Sequence, residues 1–303
     1  MPGDTRWIVS KRASALHAAQ ALIAGHTPVD PKMSEALADE ASRLATELES
    51  VGLPADKFFD HAIPLSAQLD SHARLVEVTL TKTLGPRQTG GADTVLAGRL
   101  ASLAARMHDA YPSGVEELEL RSGPLRGQWE ARGAGLLTTL RRLTEPDVVV
   151  DSAHVILVQP VLGGGGAAHR LYNSLHFEAV LTNPHPTLPE VARLGWLWAQ
   201  LNLDLPKYQE RLGRDRLDRI GPLAVLPPLL AAASELELAP ADLAGLERAL
   251  DAWFPCPDRA DARGLPPGGP GIDAQTLSSW WETYLASSPP WAVALAALDQ
   301  MVA

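Results

Sequence analysis

The sequence predicts an α+β fold that is predominantly α-helical, with helices packed around a small central β element, either a hairpin or a few-stranded sheet. Three observations carry this prediction. Helical periodicity dominates residues 10–111 and returns after residue 188, and the segment between them contains a run rich in Val and Ile. Alternating strand–helix–strand units are absent elsewhere, which argues against a doubly wound parallel sheet.

The N-terminal region is predicted to be helical because its apolar residues recur at helical spacing. The clearest helix lies in "DPKMSEALADEASRLATELESVG", where Pro31 suits the first turn and Gly52 suits the end. Its apolar positions near helical spacing are Met33, Leu37, Leu44 and Leu48. Two further segments, "SAQLDSHARLVEVTLTKTLG" and "GADTVLAGRLASLAARMHDAYP", read as helices that Gly or Pro ends.

The central region is predicted to contain strands. "PDVVVDSAHVILVQPVL" is nearly continuous in apolar character, which suits a strand covered on both faces. "SLHFEAVL" alternates between apolar and polar residues, as a strand does. A helix is the alternative for this second segment, since Leu171, Leu175 and Ala179 recur at helical spacing. We favour the strand.

Four regions are expected along the chain. They are an N-terminal helical region (1–112), a central α+β region with a glycine-rich loop (113–254), a Pro/Gly-rich linker or loop (255–271) and C-terminal helices that pack on the body (272–303). The last helices carry an aromatic set that indicates core packing or a contact with a protein partner or a second copy. Its members are Trp280, Trp281, Tyr284 and Trp291.

Composition and charge exclude several classes. A net charge of -10 argues against general binding to nucleic acid or to an anionic membrane. Cys256 is the single cysteine, so neither an intrachain disulfide nor a thiolate metal cluster is expected. The N-terminal residues have no apolar core of a secretory signal, and no apolar run is long enough to span a bilayer. A cytoplasmic location is the simplest expectation.

The stretch "VILVQPVLGGGGAAHRLYN" carries the main functional question, because four glycines follow an apolar run. Gly163, Gly165 and Ala168 match the dinucleotide fingerprint G-x-G-x-x-A, but no second strand ending in an acidic residue follows. NAD binding is therefore not expected. A P-loop would need Gly-Lys-Ser/Thr after the turn, and an esterase would need G-x-S-x-G; the chain has neither.

Two interpretations of the loop remain. The backbone amides of its glycines can approach a ligand closely or form a nest for an anion, with Arg170 supplying charge. The glycines assigned to this cofactor or anion site are Gly163, Gly164, Gly165 and Gly166. The alternative is a mobile hairpin tip without chemistry.

A second segment, "RSGPLRGQWEARGAGLLTTLRRL", supplies candidate catalytic residues. A partly buried Glu130 between arginines could act as a general base, with Arg132 holding an anion and His169 moving a proton. The alternative is a surface ion pair of Arg126 and Glu130 beside a Trp that packs in the core.

A divalent metal site is a further hypothesis. His176 and Glu178 lie two apart on the predicted strand and so share a face, and His169 can reach them from the loop. Such a His/His/Glu set suits zinc or iron, and His154 is a fourth candidate. The alternative is that His176 is an ordinary half-buried strand residue.

The combination of "LRGQWEARGAGLL", "PVLGGGGAAHRLYNS" and "WLWAQLNLDLP" resembles an uncharacterised bacterial protein family over the middle third of the chain. The resemblance implies no activity and no role for any residue. Two functions are carried forward. One is a hydrolase or group transferase acting on a small anionic substrate. The other is a non-catalytic helical protein-interaction module, which would expose a large apolar patch.

Overall fold

The computed structural model describes residues 3–85, 91–254 and 274–302. It confirms the predominantly helical α+β fold. The chain forms two compact units. The glycine-loop unit comprises Trp7–Gly123 and His154–Leu181, and the tryptophan unit comprises Met1–Arg6, Pro124–Ala153 and Thr182–Ala303. The predicted linker at residues 255–271, with Cys256, lies outside the described residues.

Helices make up most of the glycine-loop unit: α1 (Lys11–Ile23), α2 (Pro31–Ser50), α3 (Ala55–Ser66), α4 (His72–Leu84), α5 (Ala92–Ala110) and the first part of α6 (Gly114–Leu143). The prediction for α2 is confirmed in detail. Asp30 caps its start by accepting a hydrogen bond from the Lys32 amide, and Pro31 occupies the first turn. Beyond its end, Gly52 has a φ of +68°, which glycine adopts without strain.

The β element is a four-stranded sheet in the order β1 (Asp4–Val9), β2 (Ser152–Val158), β4 (Ser174–Glu178), β3 (Gly166–His169). β2 and β4 are parallel, and β3 runs antiparallel to β4. The strand prediction for the "SLHFE" segment is therefore confirmed, and the helical alternative is wrong. Every residue of β4 is buried, so both of its faces are covered. The first three glycines of the run lie in the connection from β2 to β3, and Gly166 begins β3.

The tryptophan unit contains the rest of α6 and seven further helices: α7 (Glu190–Trp198), α8 (Pro206–Leu212), α9 (Arg214–Ala224), α10 (Leu226–Glu235), α11 (Leu243–Trp253), α12 (Ala274–Ser287) and α13 (Trp291–Val302). The aromatic rings of α12 and α13 are buried against one another, with Trp281 and Tyr284 stacked at 5.2 Å between centroids. These rings belong to the core of the unit. Among the described helices, none is both long enough and apolar enough to cross a membrane.

Candidate functional site

The glycine loop surrounds a carboxylate of the protein itself. Oε1 of Glu178 accepts hydrogen bonds from the amides of Val161 (2.9 Å) and Leu162 (2.8 Å). Oε2 accepts from the amides of Gly164 (2.7 Å) and Gly165 (2.8 Å). The anion held by this part of the loop is therefore the side chain at the end of β4, in the manner of a backbone nest.

Glycine is required here for two separate reasons. A Cβ on Gly165 would lie 2.7 Å from Oε1 of Glu178, closer than real side chains pack. Gly164 has a φ of +143° and Gly163 a φ of +79°, conformations that other residues rarely adopt. The loop can wrap the carboxylate only because side chains are absent at these positions.

A histidine completes the environment of Glu178. Nε2 of His17, on α1, lies 2.7 Å from Oε1 of Glu178, and both side chains are buried. Burial by itself would raise the pKa of Glu178. The hydrogen bond and charge of His17, together with the amides of Leu162 and Gly165, outweigh burial and lower the pKa to about 2. Glu178 is therefore an ionised, fully bonded carboxylate at neutral pH.

The other two members of the predicted metal set bond to each other. Nε2 of His169 lies 2.8 Å from Nδ1 of His176, and the His17 and His176 rings are 4.7 Å apart between centroids. Burial lowers the pKa of His169 to about 3, so this side chain is neutral. Across the described ranges, no three His, Cys, Asp or Glu side chains form a group that could hold a metal ion. A divalent metal here stays a prediction that this geometry does not favour.

The predicted catalytic residues occupy different units. Glu130 and Arg132 are exposed residues of α6 in the tryptophan unit, where Arg132 lines a shallow cavity of about 640 Å³. His169 is buried in the glycine-loop unit. Arg170 follows it, half-buried, in a short 3-10 turn. The catalytic assignment stays a prediction, since no described cavity lining contains these residues together.

The glycine-loop unit contains a different candidate site, a cavity of about 580 Å³ that we call the helix-start cavity. Three helices begin at its wall: α1 with Lys11 and Arg12, α4 with His72, and α6 with Gly114 and Val115. The first amides of a helix have no partner within the helix, and its N-terminus carries partial positive charge. At α6 the Gly114 amide already donates to the Tyr111 carbonyl at 3.1 Å and Glu116 lies in the first turn, so the starts of α1 and α4 are the two that favour an anion.

Local sequence explains why two of these helices begin where they do. The Ser10 hydroxyl accepts a hydrogen bond from the Ala13 amide at 3.1 Å, and the Ser71 hydroxyl accepts one from the Arg74 amide at 3.4 Å. Each serine satisfies one amide of its helix. The caps do not use the amides that precede Ala13 in α1 and Arg74 in α4.

Two basic and two acidic side chains line the cavity, but they are not all firmly paired with one another. Arg12 pairs with Asp70 at 3.4 Å, and Asp70 is fully exposed, so water and salt screen this pair. Lys11 and Glu116 also line the cavity. An incoming anion would therefore have to displace only a weak surface contact to reach the Arg12 guanidinium.

Gln159 gives the cavity a buried polar group. It directly follows β2, and its backbone amide donates to the Ser14 hydroxyl at 3.1 Å. Its side chain lines the cavity, yet only 5% of the residue is exposed and Nε2 has no hydrogen-bond partner among the described residues. Leaving a buried amide unpaired costs about 1–3 kcal/mol, which a ligand oxygen would offset.

His72 is a titratable residue of this cavity with a lowered pKa. Burial and then the positive charge of Arg12 lower that pKa below 6.5. Its imidazole is therefore neutral at pH 7 and able to accept a proton.

Sequence reasoning missed the helix-start cavity. The serines that precede α1 and α4 are recognisable capping residues, but nothing in the sequence brings the three helix starts together. Comparison with known proteins adds no homologue, since no family model, curated protein or solved structure matches the chain.

Proposed function

We propose that the protein binds a small organic anion in the helix-start cavity and catalyses hydrolysis or group transfer on it. The observation that carries the proposal is the meeting of three helix N-termini at a cavity that also contains the buried, unpartnered amide of Gln159. A cavity of about 580 Å³ lies within the size range of ligand sites.

The lining suggests how such a ligand would be oriented. Its charged group would face the start of α1, where the amides, Lys11 and Arg12 supply positive charge. Its apolar part would contact Met107 on α5 and Leu118 on α6. The ligand class is therefore an amphipathic acid, such as a carboxylate or a phosphate monoester.

His72 is the residue we assign to proton transfer. As water or an acceptor hydroxyl attacks the substrate, neutral His72 would take the proton of the attacking group. The bond to the leaving group breaks with its electron pair on that group, and the imidazolium then returns the proton to it. This step balances without a metal or redox partner.

Binding is tested by calorimetric titration of phosphate, benzoate and hexanoate into the protein. Arg12→Gln is expected to weaken binding about tenfold, equivalent to about 1.4 kcal/mol. Arg74→Gln is the matched control, because Arg74 lies on α4 but outside the cavity lining, paired with Glu77. Failure of every probe to bind the folded protein would contradict the proposal and favour the protein-interaction module.

Catalysis is tested separately with 4-nitrophenyl phosphate and with mono-4-nitrophenyl esters of dicarboxylic acids, all of which keep an anionic group. His72→Asn is expected to abolish turnover while leaving the acid's affinity within a few-fold. Unchanged turnover in this variant would remove His72 from the reaction. A cytoplasmic location, based on the sequence, is part of the proposal.

A further inference from the structure

A second cavity in the glycine-loop unit shares a wall with the helix-start cavity. Its volume is about 400 Å³. Three residues, Tyr111, Pro112 and Gln159, line both cavities. The unpartnered Nε2 of Gln159 therefore belongs to a partition with a cavity on each side.

The second cavity has the same chemical character as the first. The start of α2 lines it through Lys32, and α6 contributes Arg121. Its two acidic residues are already bonded. Asp30 accepts from the Tyr111 hydroxyl at 2.6 Å and from the Lys32 amide, and Glu117 pairs with Arg121 at 3.3 Å.

With the acidic residues bonded in this way, Lys32 and Arg121 can still contact an anionic ligand. Nζ of Lys32 lies 5.2 Å from the centre of the Tyr111 ring, at the partition itself. Arg121 makes one ion-pair contact with the half-exposed Glu117 and has further N–H donors for a planar acid group. A carboxylate in the second cavity could therefore be held by Lys32 and Arg121.

We infer that the ligand is an elongated dianion, with one acidic group in the helix-start cavity and a second in the cavity lined by Lys32 and Arg121, lying across the Tyr111–Pro112–Gln159 partition. The inference rests on the proposed function, because it assigns the first acidic group to the same site. Two linked groups bind with an effective concentration that is highest when the linker matches the span between the sites.

The test compares dicarboxylates with monocarboxylates of equal carbon number by calorimetric titration of the full-length protein. The pairs are succinate and butyrate, adipate and hexanoate, suberate and octanoate, and sebacate and decanoate. One dicarboxylate is expected to bind about tenfold or more tightly than its monocarboxylate, with shorter and longer diacids weaker. The length at that maximum measures the span between the two cavities.

Two variants test which cavity binds each acidic group of the ligand. Arg121→Gln is expected to reduce the best diacid to the affinity of its monocarboxylate and to leave the monocarboxylate unchanged. Arg12→Gln is expected to weaken both. If monocarboxylates bind but no dicarboxylate binds more tightly than its monocarboxylate, the dianion inference is wrong while the proposed function stands. The same conclusion follows if a dicarboxylate keeps its higher affinity in both Arg121→Gln and Lys32→Gln. If no acid binds at all, both fail.

Discussion

Nε2 of His17 lies 2.7 Å from Oε1 of Glu178, although 161 positions separate these residues in the chain. The contact joins α1 to the end of β4, and the same carboxylate accepts hydrogen bonds from the amides of Val161, Leu162, Gly164 and Gly165. The start of α1 forms one wall of the helix-start cavity. The glycine loop is therefore connected through Glu178 and His17 to the helix whose start lines the helix-start cavity.

Glu178→Gln is expected to lower the free energy of unfolding by about 3–5 kcal/mol. The amide replaces an ionised acceptor with a group that presents N–H to backbone donors, and it leaves His17 without its partner. Chemical denaturation of the variant measures the loss. Glu130→Gln is the control, since Glu130 is exposed and should change stability by no more than about 0.5 kcal/mol. Equal stability of the two variants would show that the Glu178 network contributes nothing.

Gly165→Ala is expected to be strongly destabilising, because its Cβ would meet Glu178 Oε1 at 2.7 Å. Gly127→Ala is the matched comparison. Gly127 lies within α6 with no atom within 4 Å of an added Cβ, so alanine should stabilise the helix by about 0.5–1 kcal/mol. Opposite signs in melting temperature are the expected result. A neutral Gly165→Ala would mean that the loop does not wrap the carboxylate in solution.

Stability is expected to fall as the pH drops below 6.5. The pKa of His169 is about 3 in the folded chain, below its ordinary 6.5, so the unfolded chain takes up a proton that the folded chain does not. The cost is about 1.4 kcal/mol per pH unit between these values.

Glu178 acts in the same direction at lower pH. Its pKa of about 2 is depressed from 4.5, so the stability that it contributes is complete above pH 4.5 and is lost as the pH falls toward 2. Denaturation from pH 7 to 3 follows both groups. His169→Gln should flatten the curve between pH 6.5 and 4.5, whereas the same change at exposed His108 should leave it unaltered.

Gln159→Leu is expected to weaken ligand binding without lowering the stability of the ligand-free protein. Leucine removes a buried amide with an unpartnered Nε2, so the ligand-free protein should be as stable as the original or more stable. The same change removes the polar group at the partition, so affinity for the acids that bind should fall about tenfold. Retained affinity would exclude Gln159 as a ligand contact. Thermal melting with and without ligand measures both effects.

If His72 is the base, turnover should depend on pH in one direction. The neutral imidazole is the active form, and burial with the charge of Arg12 lowers the pKa of His72 below 6.5. We expect kcat to be constant above pH 6.5 and to fall once the pH drops through that lowered pKa. Arg12→Gln should raise the pKa of His72 and move the fall to higher pH. A profile that Arg12→Gln leaves in place would contradict this coupling.

The sequence alone determined the features that depend on near neighbours. The spacing of Met33, Leu37, Leu44 and Leu48 indicated α2, because burial on one face imposes the period of a helix. The alternation of "SLHFE" indicated β4, although the polar face of this strand is buried as well as its apolar face. The run of four glycines allowed a backbone that approaches a ligand closely, with a mobile hairpin tip as the alternative. It could not name the partner, since Glu178 reaches the loop only after β4 has paired beside β2.

Tertiary structure decided the candidate site. No sequence pattern links His17, Glu178 and Gln159. The helices that begin at Lys11, His72 and Gly114 are far apart along the chain. Their convergence results from how helices pack on one another, which depends on interactions summed over the whole core. Local periodicity records which face of a helix is buried. It does not record which helix ends will meet, and here that meeting places three N-termini and one buried amide at a single cavity.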